Sequence, residues 1–569
     1  MHATLSVHPF VLTPKLVSAI PTPGLLAQLK QFERPFWMLN IMEMIERLAY
    51  YGVRVVIPIY IAQADEVGGL HFTQTQKGEI FFVWALVQSL VPMFSGGFAD
   101  RYGYKRTISI SIALKAIGYL LMATQRDYYS FMFGCAVLAF GTAVFKPGIQ
   151  GTLVQSIKKE TSSVGWGTFY MVVNIGGFLG PPLAHFLYGY SWPAVFYGCA
   201  VIVCLNFLML FTYKEVPAGG DQTGTPWTIF KTTCINMARP WWLIPVASGL
   251  IAAAFLVPLD SNIRLGVVFV SLGALIVRTT RVGAFIWLMS GFWLMFMQLF
   301  DMLPNFIVDW VDSSAIVTAL NLPSWMCDVT PRGTMITQEW MINANSGLIV
   351  VFVIFVSYMV ARMRRLTSIL SGVLIASAGL VAAGFTMSGY LCILGIFLFS
   401  IGEMLASPKM NDYLGVIAPE GQKALYMGYA NIPLAIGWSY GSLRGGQVYD
   451  EMGDKANLSL RYLDSKFGIH AGMSQSDLVA AAQSAGADVQ TATRAVADAF
   501  VQGEGIARTK ATEFLGLISG MDAKQVTQTL WDTYHPYELW YQFAAMGILS
   551  AIGVAIYAQF AQKWQAKDV

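Results

Sequence analysis

Glu43, Glu46, Arg47 and Arg54 fall within the stretch EMIERLAYYGVR (43–54), inside an apolar run from about Phe36 to Ala62. One charge at mid-bilayer costs roughly 2.5–3.5 kcal/mol on insertion scales, so these four must pair or work. Glu43, Arg47 and Arg54, spaced i, i+4 and i+11, share one helical face. Glu46, Tyr50 and Arg54, four residues apart, form an overlapping stripe. Burial and a neighbouring guanidinium pull a carboxylate's hold on its proton in opposite directions. A wall of acid, base and phenol is therefore suited to taking up and releasing one proton.

Further ionisable residues inside apolar stretches stand out: Lys146, Asp301, Glu403, Lys409, Asp412 and Arg444. With the first four they make five acids and five bases. Ten unpaired charges would cost on the order of 25–35 kcal/mol, so they must face one another or a wet cavity. Equal signs suit mutual pairing and also a zwitterionic ligand. The plainer reading, ion pairs tying helices together, fits best at the span ends. There Lys409 and Asp412, three residues apart, can pair on one helix face, and Arg444 belongs with them.

The elements that carry these residues are membrane spans. The chain of 569 residues is 55% hydrophobic and 12% charged, with mean hydropathy +0.54; soluble domains average about 25% charged. Apolar runs of roughly twenty residues fall at 36–62, 78–98, 106–124, 128–153, 166–188, 193–213, 240–259, 263–280, 283–307, 344–362, 367–388, 390–416, 425–447 and 538–561. The expected class is an all-α polytopic membrane protein of about fourteen transmembrane helices. The connections RYGYKR (101–106), IKKE (157–160) and ARMRR (361–365) are basic, which places them, and both termini, in the cytoplasm. The proline-bearing first 33 residues carry no signal-peptide pattern. The six cysteines form no CxxC or metal pattern, and no disulfide, metal or cofactor is expected.

The spans group as six, two and six. The expected division is a cytoplasmic segment 1–35, a six-helix bundle 36–213, a linker with two extra helices 214–281, bundle helices 282–448, an outward helical insert 449–535, and a last span with cytoplasmic tail 536–569. Two six-span halves are the layout of major facilitator transporters. A second outward loop covers 308–342. In the insert, SQSDLVAAAQ, DVQTATRAVADAFVQ and DAKQVTQTLWDTY have helical spacing and polar starts. This cap could gate, dock a partner or brace the last span; bracing is the plainest role.

Several motifs resemble those of the proton-coupled oligopeptide transporters of the major facilitator superfamily. EMIERLAYYG resembles their ExxERxxYYG motif, and FYMVVNIGGFLGP (169–181) their second signature. FKPGIQGTLV (145–154) resembles their fourth-helix segment, and GEMLASP (402–408) with APE (418–420) their tenth. GGFADRYGYKR (96–106), with Asp100 and Arg101, matches the loop motif shared across the superfamily. The resemblance implies that Glu43 and Glu46 carry the coupling proton, with Arg47 holding them. It implies that Arg54 and Lys146 attract a substrate carboxylate and Glu403 its amino group. Asn174 and Asn345 would bond a peptide backbone, Tyr50, Tyr51 and Trp438 would line side-chain pockets, and Gln298 would join them on the seventh span.

The sequence also departs from that family. In FWLMFMQLFD, Met297 stands where the family usually has a Glu before Gln298. Two expectations stay open for Asp301, one helical turn on: it replaces that carboxylate, or it pairs with Arg444. Ser89 replaces a usual tyrosine, and His185 is the only histidine in a span, read mainly as packing. The glycines and prolines of GTFYMVVNIGGFLGPPLA also match a drug-antiporter pattern, but read mainly as close helix packing.

The resemblance implies a proton-coupled importer of di- or tripeptides or peptide-like zwitterions. The chain is expected to be a monomer in the inner membrane, with small molecules and protons as partners and no nucleic acid. A carrier of another molecule, including a proton-coupled exporter, and a non-transporting sensor are the alternatives. An enzyme is not expected: there is no GxSxG and no phosphate loop.

Overall fold

The computed structural model describes residues 28–92, 101–158, 161–216, 243–258, 281–361, 363–417 and 430–565, with isolated positions between them. Asp100, most of the run 263–280 and the APE at 418–420 lie outside the described residues.

The first bundle contains α1 (Arg34–Ala62), α2 (Gln74–Leu90), α3 (Tyr104–Thr124), α4 (Tyr128–Ser156), α5 (Ser162–Tyr188) and α6 (Trp192–Leu210). Polar caps fix several starts. Thr73 and Gln76 form a reciprocal capping box on α2, and Asp127 and Ser191 cap α4 and α6. A short apolar helix, α7 (Leu243–Leu256), stands between the bundles in sequence.

The second bundle opens with a broken span: α8 (Arg281–Phe296), α9 (Gln298–Asp301) and α10 (Leu303–Trp310). Pro304 lies in the first turn of α10. Its ring nitrogen has no hydrogen to offer the carbonyl four residues back, on Phe300. After α11 (Ser314–Leu320) and the hairpin β1 (Cys327–Thr330)–β2 (Gly333–Ile336) come α12 (Gln338–Ala361), α13 (Arg365–Gly384), α14 (Gly389–Ile417) and α15 (Asn431–Met452). The stretch 308–342 is thus only partly a loop. Helix α10 runs on to Trp310, and α12 starts at Gln338, before its apolar run.

The insert folds as α16 (Lys455–Phe467), α17 (Gln475–Ser484), α18 (Val489–Ala499), α19 (Ala511–Ser519) and α20 (Ala523–Tyr534), and α21 (Leu539–Gln565) closes the bundle. DVQTATRAVADAFVQ is not helical to its end. Phe500–Val501 (β3) pairs with Gly505–Ile506 (β4), and the turn uses Gly503 at φ +88°.

Seven described helices are long and apolar enough to cross a bilayer by composition alone. Helix α1 is not among them; Glu43, Glu46, Arg47 and Arg54 within it are buried against protein. The chain is a multi-pass membrane protein with an all-α core. The bundles meet along two helix pairs, α2 with α15 and α5 with α12. Gly78 and Gly446 lie at the first crossing, where a Cβ on Gly78 would sit 2.6 Å from the Ser442 carbonyl oxygen. Within the first bundle, Gly176 and Gly180 bring α5 onto α1: added Cβ atoms would lie 2.6 Å from Met44 O and from Gly52 N. This accounts for the small residues of NIGGFLG as close packing.

Candidate functional site

One face of α1 assembles a buried acid–base cluster. Arg47 Nε lies 3.2 Å from Glu43 Oε1, and its guanidinium also binds Glu46. Lys115, from α3, donates from Nζ to Glu46 Oε1 at 2.6 Å, and its ammonium sits 3.7 Å from the centre of the Phe145 ring. Glu43, Glu46, Arg47 and Lys115 are each at most 6% exposed. Two acids and two bases close the local charge balance, as burial demands. Sequence reasoning missed Lys115, although a lysine inside an apolar run calls for a partner. Lys146 on α4 stands within electrostatic range of Glu43, Glu46 and Arg47 but makes no hydrogen bond or ion pair among the described residues.

Arg54 and Asp301 form a pair that the sequence reading did not include. The Arg54 guanidinium pairs with the Asp301 carboxylate and donates to Phe300 O at 3.3 Å, the carbonyl that Pro304 leaves without a helical donor. Ser442, from α15, also donates to Asp301. The Arg54 guanidinium lies 4.7 Å from the Phe81 ring centre and 5.5 Å from that of Trp438. Asp301 therefore does not pair with Arg444, as one expectation had it; the Nη2 of Arg444 donates to Gln542 at 3.2 Å. In this conformation Arg54 is held by Asp301 rather than open to a ligand carboxylate.

In the second bundle, Asn345 Nδ2 donates to Glu403 at 3.1 Å and to Ser400 Oγ at 2.9 Å. Glu403 lies within electrostatic range of Tyr51 and Tyr170 of the first bundle. Tyr50 donates to Gln88 Oε1 at 3.1 Å, where Trp84 Nε1 also donates at 2.7 Å. Two further amides each donate to the preceding turn of their own helix: Asn174 to Tyr170 O and Gln298 to Leu294 O, both at 2.8 Å. Each side chain folds back on the preceding turn, which offers the nearest acceptor. Asp412 accepts from Arg365 at 2.7 Å and lies 3.9 Å from Lys409, at the basic ends of α13 and α14. Arg101 stacks on Tyr102 at 5.9 Å. His185 packs edge-on to Tyr188, 5.1 Å between ring centres.

At the end of the bundles that carries the insert, a polar seal joins the halves, and sequence reasoning missed it. Lys77 donates to Asn305 at 2.8 Å, Gln63 to Asp309 at 2.8 Å, Thr75 to Asp450 at 2.9 Å and Gln74 to Asp454 at 3.1 Å. Trp310 Nε1 donates to Gly453 O at 2.8 Å within the second half. Further hydrogen bonds between the halves lie at the same end, among them Tyr188 to Asp328, Gln338 to Val55 O and Asn343 to Phe178 O. The insert side is closed. In the α1–α2 connection, burial pushes the Glu66 carboxyl up to about 7, reinforced by Asp65, Glu339 and Asp328, while a hydrogen bond from Trp192 opposes it.

The family model of the Major Facilitator Superfamily matches residues 39–442. The chain is 23% identical over 464 residues to the peptide transporter YePEPT of Yersinia enterocolitica subsp. palearctica, covering 73% of this chain and 88% of that one. It is 23% identical over 404 residues to the multidrug resistance protein MdtH of Klebsiella pneumoniae, covering 71% and 84%. The crystal structure of the POT family transporter PepTSo superposes with a TM-score of 0.61 at 17% identity, covering 93% of this chain and 98% of that one. The chain belongs to the Major Facilitator Superfamily, and its fold is that of the POT family transporter within it.

Proposed function

We propose that the protein is a proton-coupled symporter that imports di- or tripeptides, or similar zwitterions, by alternating access. One observation carries this reading. The four-charge cluster of α1 and α3 stands in the first bundle, while Glu403, steadied by Asn345, faces that bundle from the second. Glu43 and Glu46 exchange the proton; Lys146, without a protein partner among the described residues, receives the substrate carboxylate; Glu403 receives the amino group. A ligand spanning Lys146 and Glu403 pulls the halves together, and the Arg54–Asp301 pair closes the insert side behind it. The similarity to YePEPT supports the cargo class. The protein acts as a monomer in the inner membrane, with both termini cytoplasmic and the insert periplasmic.

Reconstitution in liposomes with an inward proton gradient and labelled dialanine tests this. Gradient-driven uptake by the parent, lost in Glu46→Gln, is the expected result. Absence of uptake by folded protein would overturn the cargo assignment. The similarity to MdtH favours a second reading, proton-driven export of another small molecule. Reversing the gradient and measuring extrusion of a dye separates the two, and a sensor would bind ligand with no flux in either direction.

A further inference from the structure

The insert rests on the second bundle. Lys455 Nζ donates to Asp309 O at 3.2 Å and to Thr527 Oγ1 at 2.6 Å, Lys524 pairs with Asp312 at 3.5 Å, and Trp531 packs against Phe306 and Trp310. Its sequence neighbours, α15 and α21, belong to that bundle as well. Beyond the junction residues Asp450 and Asp454, the hydrogen bonds of the insert to the first bundle, among the described residues 455–535, come from one side chain. Arg508, at the start of a short turn just after the β3–β4 hairpin, donates to Ala62 O at 3.1 Å and to Phe72 O at 3.3 Å. The same guanidinium pairs with Asp454, which also accepts from Gln74 of the first bundle. Beside it lies a cavity of about 800 Å³, bordered by the 63–71 connection on one side and by α19 on the other.

We propose that Arg508 is the latch of the insert-side entrance. The insert travels with the second bundle and grips the first through this arginine, so the grip must release each time that entrance opens. A planar guanidinium suits such a latch, because its fixed fork holds two carbonyls of one bundle and a carboxylate of the other at once. Asp454, the C-terminal neighbour of α15, couples the latch to the inter-bundle seal. Any turnover in the transport cycle proposed above includes this release, and to that extent the inference rests on that reading.

The latch itself can be read without any substrate. Spin labels at Val67→Cys, on the exposed α1–α2 connection, and at Leu517→Cys, on α19, report the width of the cavity mouth. The native cysteines that label are first replaced by serine. The parent is expected to give one narrow distance distribution. Arg508→Gln is expected to at least double the population at longer distances, with Arg508→Lys in between. A distribution for Arg508→Gln that superimposes on the parent's would overturn the proposal and leave Arg508 a brace. If Arg508→Gln does not fold, Asp454→Asn serves instead, since asparagine still caps α16, and the same two outcomes decide. In liposomes, a bifunctional cross-link between positions 67 and 517 is expected to abolish uptake; unimpaired uptake with the link in place would also overturn the latch. Failure of the parent to carry dialanine would refute the cargo while leaving the distance result intact.

Discussion

The Arg54 guanidinium, from the first bundle, is bound to the Asp301 carboxylate of the second, with both side chains almost wholly buried. Removing one partner of such a pair strands the other charge, at about 3–5 kcal/mol. Asp301→Asn is therefore expected to lower the melting temperature clearly. Arg54→Gln/Asp301→Asn should recover most of that loss. A thermal melt of the two variants in detergent checks this; equal destabilisation of single and double variants would show that the pair is not the reason.

Lys115 is expected to matter as much as the motif residues it touches. Lys115→Met leaves Glu46 with Arg47 as its ionic partner, and gradient-driven uptake should fall at least about tenfold, the equivalent of ~1.4 kcal/mol. Lys115→Arg, which keeps the charge, should retain more activity. Uptake by Lys115→Met at the parent's rate would make Lys115 a spectator.

Glu66 gives stability a pH dependence of defined sign. Its ordinary value is 4.5 and burial raises it to about 7. Between those values the folded protein keeps a proton that the unfolded chain has lost. The contribution of this group is fully present below pH 4.5 and is lost as pH rises through 7. In Glu66→Gln, the gap between melting temperatures at pH 5 and pH 7.5 should shrink relative to the parent. An unchanged gap would assign the dependence to other groups.

Gly446 tests the crossing of α2 and α15. A Cβ there would lie 2.5 Å from Gln74 O, a backbone atom that cannot swing aside. Gly446→Ala should force the helices apart and weaken the Gln74–Asp454 and Thr75–Asp450 bonds. Distance measurements across the insert side should show a wider entrance, and an unaltered distribution would mean that the crossing absorbs a methyl group.

What the sequence discloses follows from the range of the interactions involved. Hydrophobic run length marks where the spans lie, because the bilayer imposes it locally. The face shared by Glu43 and Arg47 is equally local, four residues along one helix. Partners across the bundles are not local. Arg54 and Asp301 are separated by 247 positions, and only the packing of α1 against α9 and α10 brings them together. The insert-side seal was illegible for another reason. Gln63, Gln74, Asn305 and Asp309 sit at span ends, where polar residues ordinarily face water and call for no explanation. Helices α16 and α19 bury Leu458, Leu463, Phe514 and Leu515 in a core continuous with that of the bundles.

The mounting of the insert has a practical side. A transporter with little mass beyond the bilayer offers few landmarks for aligning particle images. This chain carries its own fiducial, a folded cap tied to one bundle by Trp531, Lys455 and Lys524. An antibody fragment raised against the solvent-facing surfaces of α17 and α18 would report the tilt of that bundle directly.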